Sequence, residues 1–155
     1  MPTPPLETPA LTKGTADHDV NSKEREIRVQ SFIKQMHDKL LPDELAKIDA
    51  VILFGSTARG EAKESSDVDV FALGQIPPAL QMKLQTLLTD SLGNIDGSLM
   101  YGKSVKGAVG LITGDRGGAR RPKWNILYAT GPQKAEELER VLNEYLTYKK
   151  DKGRL

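Results

Sequence analysis

Asp67 and Asp69 are separated by a single valine at the end of the stretch Val51-Ile-Leu-Phe-Gly-Ser-Thr-Ala-Arg-Gly-Glu-Ala-Lys-Glu-Ser-Ser-Asp-Val-Asp-Val70. Residues two apart in a strand share a face. Both carboxylates would therefore project together while Val68 and Val70 enter a core. Two ionised carboxylates this close repel, unless one is protonated or a cation offsets the charge. Asp oxygens suit the hard cations Mg²⁺ and Mn²⁺. Ten residues before the pair, Gly55-Ser56 ends an apolar run. The backbone N–H groups that follow such a turn can hold a phosphate. A metal beside a phosphate is the arrangement of metal-assisted phosphoryl or nucleotidyl transfer. The competing reading is a solvated Asp-x-Asp strand edge. Val68, Val70, Phe71, Ala72 and Leu73 argue against it, because they make the strand largely buried and unpaired charges there are costly.

The elements that must position these groups follow from periodicity. Val29, Phe32, Ile33, Met36 and Leu40 recur at helical spacing, which predicts a helix over residues 22–40, capped by Asn21 or Ser22 and stopped by Pro42. Residues 42–48 form a short turn or helix before a strand at 50–54. The second strand covers 67–73. Pro77-Pro78 opens a helix carrying Leu80, Leu84, Leu87, Leu88 and Leu92 on one stripe, and Gly93 closes it. Residues 94–101 read as a third strand with Asp96 inside it. A strand over 124–129 and a helix from Gly131-Pro132 complete the order, with Leu138, Val141, Leu142, Tyr145 and Leu146 facing inward. This pattern predicts an α+β fold, a small mixed β-sheet flanked by helices and covered mainly on one face.

The chain has 155 residues with 22 Lys plus Arg against 21 Asp plus Glu, a formal net charge of +1. That balance excludes a whole-surface polyelectrolyte binder but leaves room for a local basic patch. With no cysteine there is no disulfide frame, zinc–thiolate site or Cys nucleophile. No apolar run approaches the ~20 residues of a membrane helix, and no signal-peptide segment opens the chain. A cytoplasmic protein without membrane contact is expected. Pro2, Pro4, Pro5 and Pro9 lead us to expect a flexible arm over residues 1–21. Residues 22–150 are expected to form the domain, and 151–155 a flexible end.

Gly55-Ser56 followed after ten residues by Asp67-Val68-Asp69 resembles the signature of the polymerase-beta-type nucleotidyltransferases. The stretch from Leu53 to Phe71 is most similar to the minimal nucleotidyltransferases, short proteins often paired with a HEPN-domain partner. The resemblance implies a palm-like nucleotidyltransferase fold that moves a nucleoside monophosphate from an NTP, expected to be ATP, to a hydroxyl and releases pyrophosphate. It implies that Gly55 and Ser56 contact the triphosphate and that Arg59 binds phosphate, although an ion pair with Glu61 or Glu64 is an equal reading for Arg59. Asp67 and Asp69 would ligate Mg²⁺ or Mn²⁺. The family pattern includes a third carboxylate on a neighbouring strand, for which Asp96 is chosen. Asp96-Gly97 is also a strong turn dipeptide, and Asp115 is the fallback.

The family further implies a protein acceptor, commonly a Tyr on a HEPN-type toxin, which would make the chain antitoxin-like. A second resemblance competes with it. Trp124-Asn-Ile-Leu-Tyr-Ala-Thr-Gly-Pro132 is similar to the strand, Thr-Gly turn and helix of family X DNA polymerases. Under that reading Asp115 replaces Asp96, residues 128–131 line the sugar and base, and the acceptor is a nucleic-acid 3′ end. A third reading is a binding module without turnover. Residues 102–123 are rich in glycine and carry Lys103, Lys106, Arg116, Arg120, Arg121 and Lys123. They are read as a basic loop, with a short strand at 108–112, that contacts triphosphate or nucleic acid, the competing reading being a solvated loop. His18 and His37 are read as surface residues.

Overall fold

A computed structural model of the chain describes the backbone of residues 13–113 and 123–151, and the side chains of residues 18–112 and 123–147. The elements are α1 (Lys13–Lys39), α2 (Pro42–Leu45), β1 (Ile48–Phe54), α3 (Gly55–Ala58), β2 (Val68–Gly74), α4 (Pro78–Leu92), β3 (Gly97–Gly102), α5 (Val105–Thr113), β4 (Trp124–Ala129) and α6 (Pro132–Asp151). The four strands form one mixed sheet in the order β3-β2-β1-β4. β1 is antiparallel to both neighbours, and β2 runs parallel to β3. A parallel pair needs a crossover, and α4 supplies it. The α+β architecture expected from periodicity is therefore present.

The sheet is covered on both faces, a correction to the single-faced arrangement expected above. One layer joins α1 and α4 to the sheet through Val29, Phe32, Met36, Leu84, Leu88 and Leu92, packed on Val51, Leu53, Val68 and Val70. The other joins α5 and α6 through Ala108, Val109, Ile112, Leu138 and Leu142, packed on Ala50, Ile52, Phe54, Phe71 and Leu73. β1 and β2 contribute alternate residues to the two layers, so both read as unbroken apolar runs.

Four boundaries also differ from expectation. α1 starts at Lys13 rather than near Ser22, so residues 13–21, expected in a flexible arm, are helical. Ser22 and Arg25, in the following turn, are buried. β2 begins at Val68 and β3 at Gly97, which leaves Asp67 and Asp96, both expected inside strands, each just outside. Residues 105–113 form a helix instead of a strand at 108–112. Gly107 and Gly110 lower the helix propensity of that segment. Burial of Ala108, Val109 and Ile112 at helical spacing overrides it, and Ser104 Oγ accepts the Gly107 N–H at 3.1 Å as a cap. Asp115, Arg116, Arg120 and Arg121 lie outside the described residues.

Candidate active site

Gly55 ends β1 with φ of +76°, a left-handed conformation that glycine adopts without penalty. It then opens the single turn of α3, whose first N–H groups have no acceptor within the helix. Space as well as conformation requires a glycine here. A methyl group at Gly55 would land on Asp69 Oδ2 and lie 3.2 Å from Asp69 Cγ. The two halves of the motif, ten residues apart in sequence, are thus packed directly on one another. Phe54, at the end of β1, pairs in register with Asp69 near the start of β2.

Asp69 is half-buried on the face of the sheet that carries Phe71 and Leu73. Asp67 is exposed and lies just before β2, two residues upstream of Asp69. Asp96 is exposed and stands beside them, because its carbonyl accepts the Val68 N–H at 2.9 Å and Gly97 pairs with Val68. Asp67 and Asp96 share the lining of a cleft of about 360 Å³ between α1 and the segments that lead into β2 and β3. Among the described residues, no three His, Cys, Asp or Glu side chains converge closely enough to hold an ion by themselves. Asp96 is therefore brought next to the pair without closing a three-carboxylate cage. The donor set still fits Mg²⁺, which is bound through one or two carboxylates plus substrate phosphates and keeps several waters.

Ser56 is half-buried in the first turn of α3. Thr57, one residue on, is buried, and its Oγ1 has no hydrogen-bond partner. Arg59 Nε donates to Glu61 Oε1 at 2.9 Å, and the Arg59 side chain is only 10% exposed. The ion pair foreseen as the competing role of Arg59 is formed, so any phosphate contact must coexist with it.

Tyr128 does not reach this site. It pairs with Val51, packs on the α1 face and meets the His37 ring edge-on at 5.3 Å. Thr130, which follows β4, donates its N–H to Asp49 O at the start of β1, whereas Gly55 and Asp69 lie at the other end of that strand. Seven residues of β1 separate the two rims, roughly 20 Å at ~3.4 Å per residue. The expectation that residues 128–131 line the sugar and base is corrected accordingly. The β4 residue at the Asp69 rim is Trp124. It pairs with Phe54, and its Nε1 donates to Glu139 Oε1 at 2.9 Å.

Residues 22–96 match the family model of the nucleotidyltransferase domain. This segment belongs to that family. It contains Gly55, Ser56, Arg59, Asp67, Asp69 and Asp96. A Methanocaldococcus jannaschii protein named "Putative protein adenylyltransferase" is 38% identical over 65 residues, which cover 39% of this chain and 66% of that protein. The chain thus spans about two-thirds of the relative's length. Two solved structures are also similar. A toxin–antitoxin structure with AMP-PNP shows 18% identity, covers 83% of this chain and 92% of its own, and has a TM-score of 0.49. The tri-AMPylated Shewanella oneidensis HEPN toxin in complex with MNT antitoxin shows 18% identity, coverage of 85% and 92%, and a TM-score of 0.43.

Sequence reasoning missed Arg25, which is 3% exposed, hydrogen-bonded to the loop before Asp67 and part of the cleft wall. The signal was available. Ser22 and Arg25 fall on the same inward stripe as Val29, Phe32 and Met36.

Proposed function

We propose that the chain transfers a nucleoside monophosphate, with ATP as the working donor, to a hydroxyl group on a protein, and that Asp67 and Asp69 hold the Mg²⁺ or Mn²⁺ the reaction uses. The observation that carries this reading is the packing of the Gly55 turn against the Asp69 carboxylate. It brings a phosphate-binding turn and a cation-binding oxygen to one point of the sheet rim. The bound cation would neutralise charge on the phosphates and lower the pKa of an attacking hydroxyl. The residues of the chain supply the rest. The Gly55–Ala58 turn and Ser56 hold the triphosphate, and Arg59, steadied by Glu61, adds positive charge beside it. In-line displacement needs the acceptor opposite the leaving pyrophosphate. We assign that approach to the cleft lined by Asp67 and Asp96, whose walls do not include Gly55.

A protein acceptor is favoured by the name of the Methanocaldococcus jannaschii relative. The sequence resemblance adds a HEPN-type toxin partner to the same reading. The polymerase-like reading loses its main support, because the Thr130-Gly131 turn sits at the opposite rim. The test is incubation with labelled ATP and Mg²⁺, with either a co-encoded HEPN-type protein or a DNA or RNA primer. Label on the protein, lost in Asp67→Ala plus Asp69→Ala, is expected. Primer extension would overturn the acceptor assignment. Tight partner binding that survives both substitutions, with no label anywhere, would establish a binding module instead.

A further inference from the structure

Arg25 lies on the inward stripe of α1, yet its guanidinium is spent on main-chain atoms of the segment between the phosphate turn and the acidic pair. Nη2 donates to Glu64 O at 3.1 Å and to Ser66 O at 3.2 Å, Nε to Ser66 O at 3.4 Å, and Nη1 to Asn21 O at 3.3 Å. Two neighbours on the same helix extend the seam. Asn21 Nδ2 donates to Ala62 O at 3.2 Å, and Ser22 Oγ accepts the Ala62 N–H at 2.9 Å. Residues 61–67 form no helix or strand of their own; a local turn closes Ser66 onto Lys63, and the bonds from α1 anchor that turn to the domain.

A buried guanidinium is costly unless its hydrogen bonds are satisfied. A helix position facing a core would ordinarily carry an apolar side chain. The planar fork of arginine can span several carbonyls at fixed angles, which neither an aliphatic side chain nor the point charge of lysine can do. The bond to Ser66 O matters most. That carbonyl belongs to the rigid peptide plane that also contains the Asp67 nitrogen, so holding it fixes the direction in which Asp67 leaves the loop.

We propose that Arg25 is a positioning residue for Asp67, setting where the Asp67 oxygens stand relative to Asp69 and hence how well the pair grips a divalent cation. The inference rests on the nucleotidyl-transfer reading of Asp67 and Asp69.

The test compares Arg25→Met and Arg25→Lys with Leu84→Ala, a control in the α4 core that makes no hydrogen bond to the seam. Three quantities are read on the full chain: Mn²⁺ binding by electron paramagnetic resonance with a non-hydrolysable ATP analogue, metal-free hydrogen exchange of amides 62–66, and transfer rate against Mn²⁺ concentration. Arg25→Met is expected to weaken Mn²⁺ binding by roughly ten- to a hundredfold, to speed exchange across 62–66, and to recover transfer at high Mn²⁺. Arg25→Lys should fall between it and the wild type. Leu84→Ala should lower the thermal midpoint with Mn²⁺ affinity unchanged. Wild-type Mn²⁺ affinity in Arg25→Met overturns the proposal whatever its midpoint. Should that variant fail to fold, wild-type affinity in Arg25→Lys overturns it equally. A wild-type protein that binds Mn²⁺ but labels no acceptor refutes transfer and leaves Arg25 to be judged by affinity and exchange. A wild-type protein that binds no Mn²⁺ refutes both.

Discussion

At the scale of single residues, the motif is a steric fit as much as a chemical one. Gly55→Ala forces a methyl group onto Asp69 Oδ2 at a backbone angle that side chains rarely adopt. Overpacking and strain of this kind cost about 1–3 kcal/mol each. The variant should unfold at lower denaturant and also bind Mn²⁺ more weakly, which chemical denaturation and metal titration would check separately. Thr57→Val makes the opposite change. It removes a buried hydroxyl that has no partner and keeps the branched shape. It is expected to leave stability unchanged or to raise it by up to ~1 kcal/mol, and a drop of that size would show that Thr57 Oγ1 is bonded in solution. Gly55, Ser56, Asp67 and Asp69 were legible in the sequence because type and spacing are both local properties. The stripe gave the burial of Arg25 but not its role, since its partners Glu64 and Ser66 are about forty residues away in the chain, and no spacing rule reports that loop's path.

At the scale of elements, the helices that hold the leads into β2 and β3 are tied down by side chains reaching backbone carbonyls. Arg28 Nη1 donates to Leu92 O at the end of α4, and Tyr101 Oη donates to Gln81 O within it at 3.0 Å. Burial pushes the Tyr101 hydroxyl from its ordinary value of 10.0 up to about 12. The sign follows directly. Above pH ~10 the unfolded chain releases the Tyr101 proton while the folded chain keeps it, so unfolding becomes easier as pH rises. This contribution to stability is complete below pH ~10 and is lost as the pH passes through about 12. Thermal midpoints taken across that window should fall less steeply for Tyr101→Phe than for the wild type. Equal slopes would show that the hydroxyl is solvated. The helix α4 and the strand β4 were readable from Pro77-Pro78, Gly93 and the apolar run at 124–129. The helix α5 was not, because two glycines hid a stripe whose meaning comes from Phe71 and Leu73 beneath it.

At the scale of the whole molecule, the central strands serve two layers at once. Leu84 belongs to the α1–α4 side and Leu142 to the α5–α6 side. Both layers close on β1 and β2, so Leu84→Ala and Leu142→Ala should each cost about 2–5 kcal/mol. Each should shift one shared unfolding transition, seen alike by near-UV and far-UV circular dichroism. Two separate transitions would mean that the layers melt independently. The unbroken runs Ala50–Phe54 and Val70–Leu73 already carried this two-sidedness in the sequence, because a strand open to water on one face alternates. The parallel pairing of β2 with β3 has a last consequence. The ladder sets Asp96 beside Asp67, and α4 is the regular segment of the crossover that must deliver β3 into that register. One residue inserted into or removed from it would turn everything downstream by about 100° and slide it by ~1.5 Å. Length changes in this crossover should therefore be tolerated only in whole turns, or where Gly93 and Asn94 can absorb the slack.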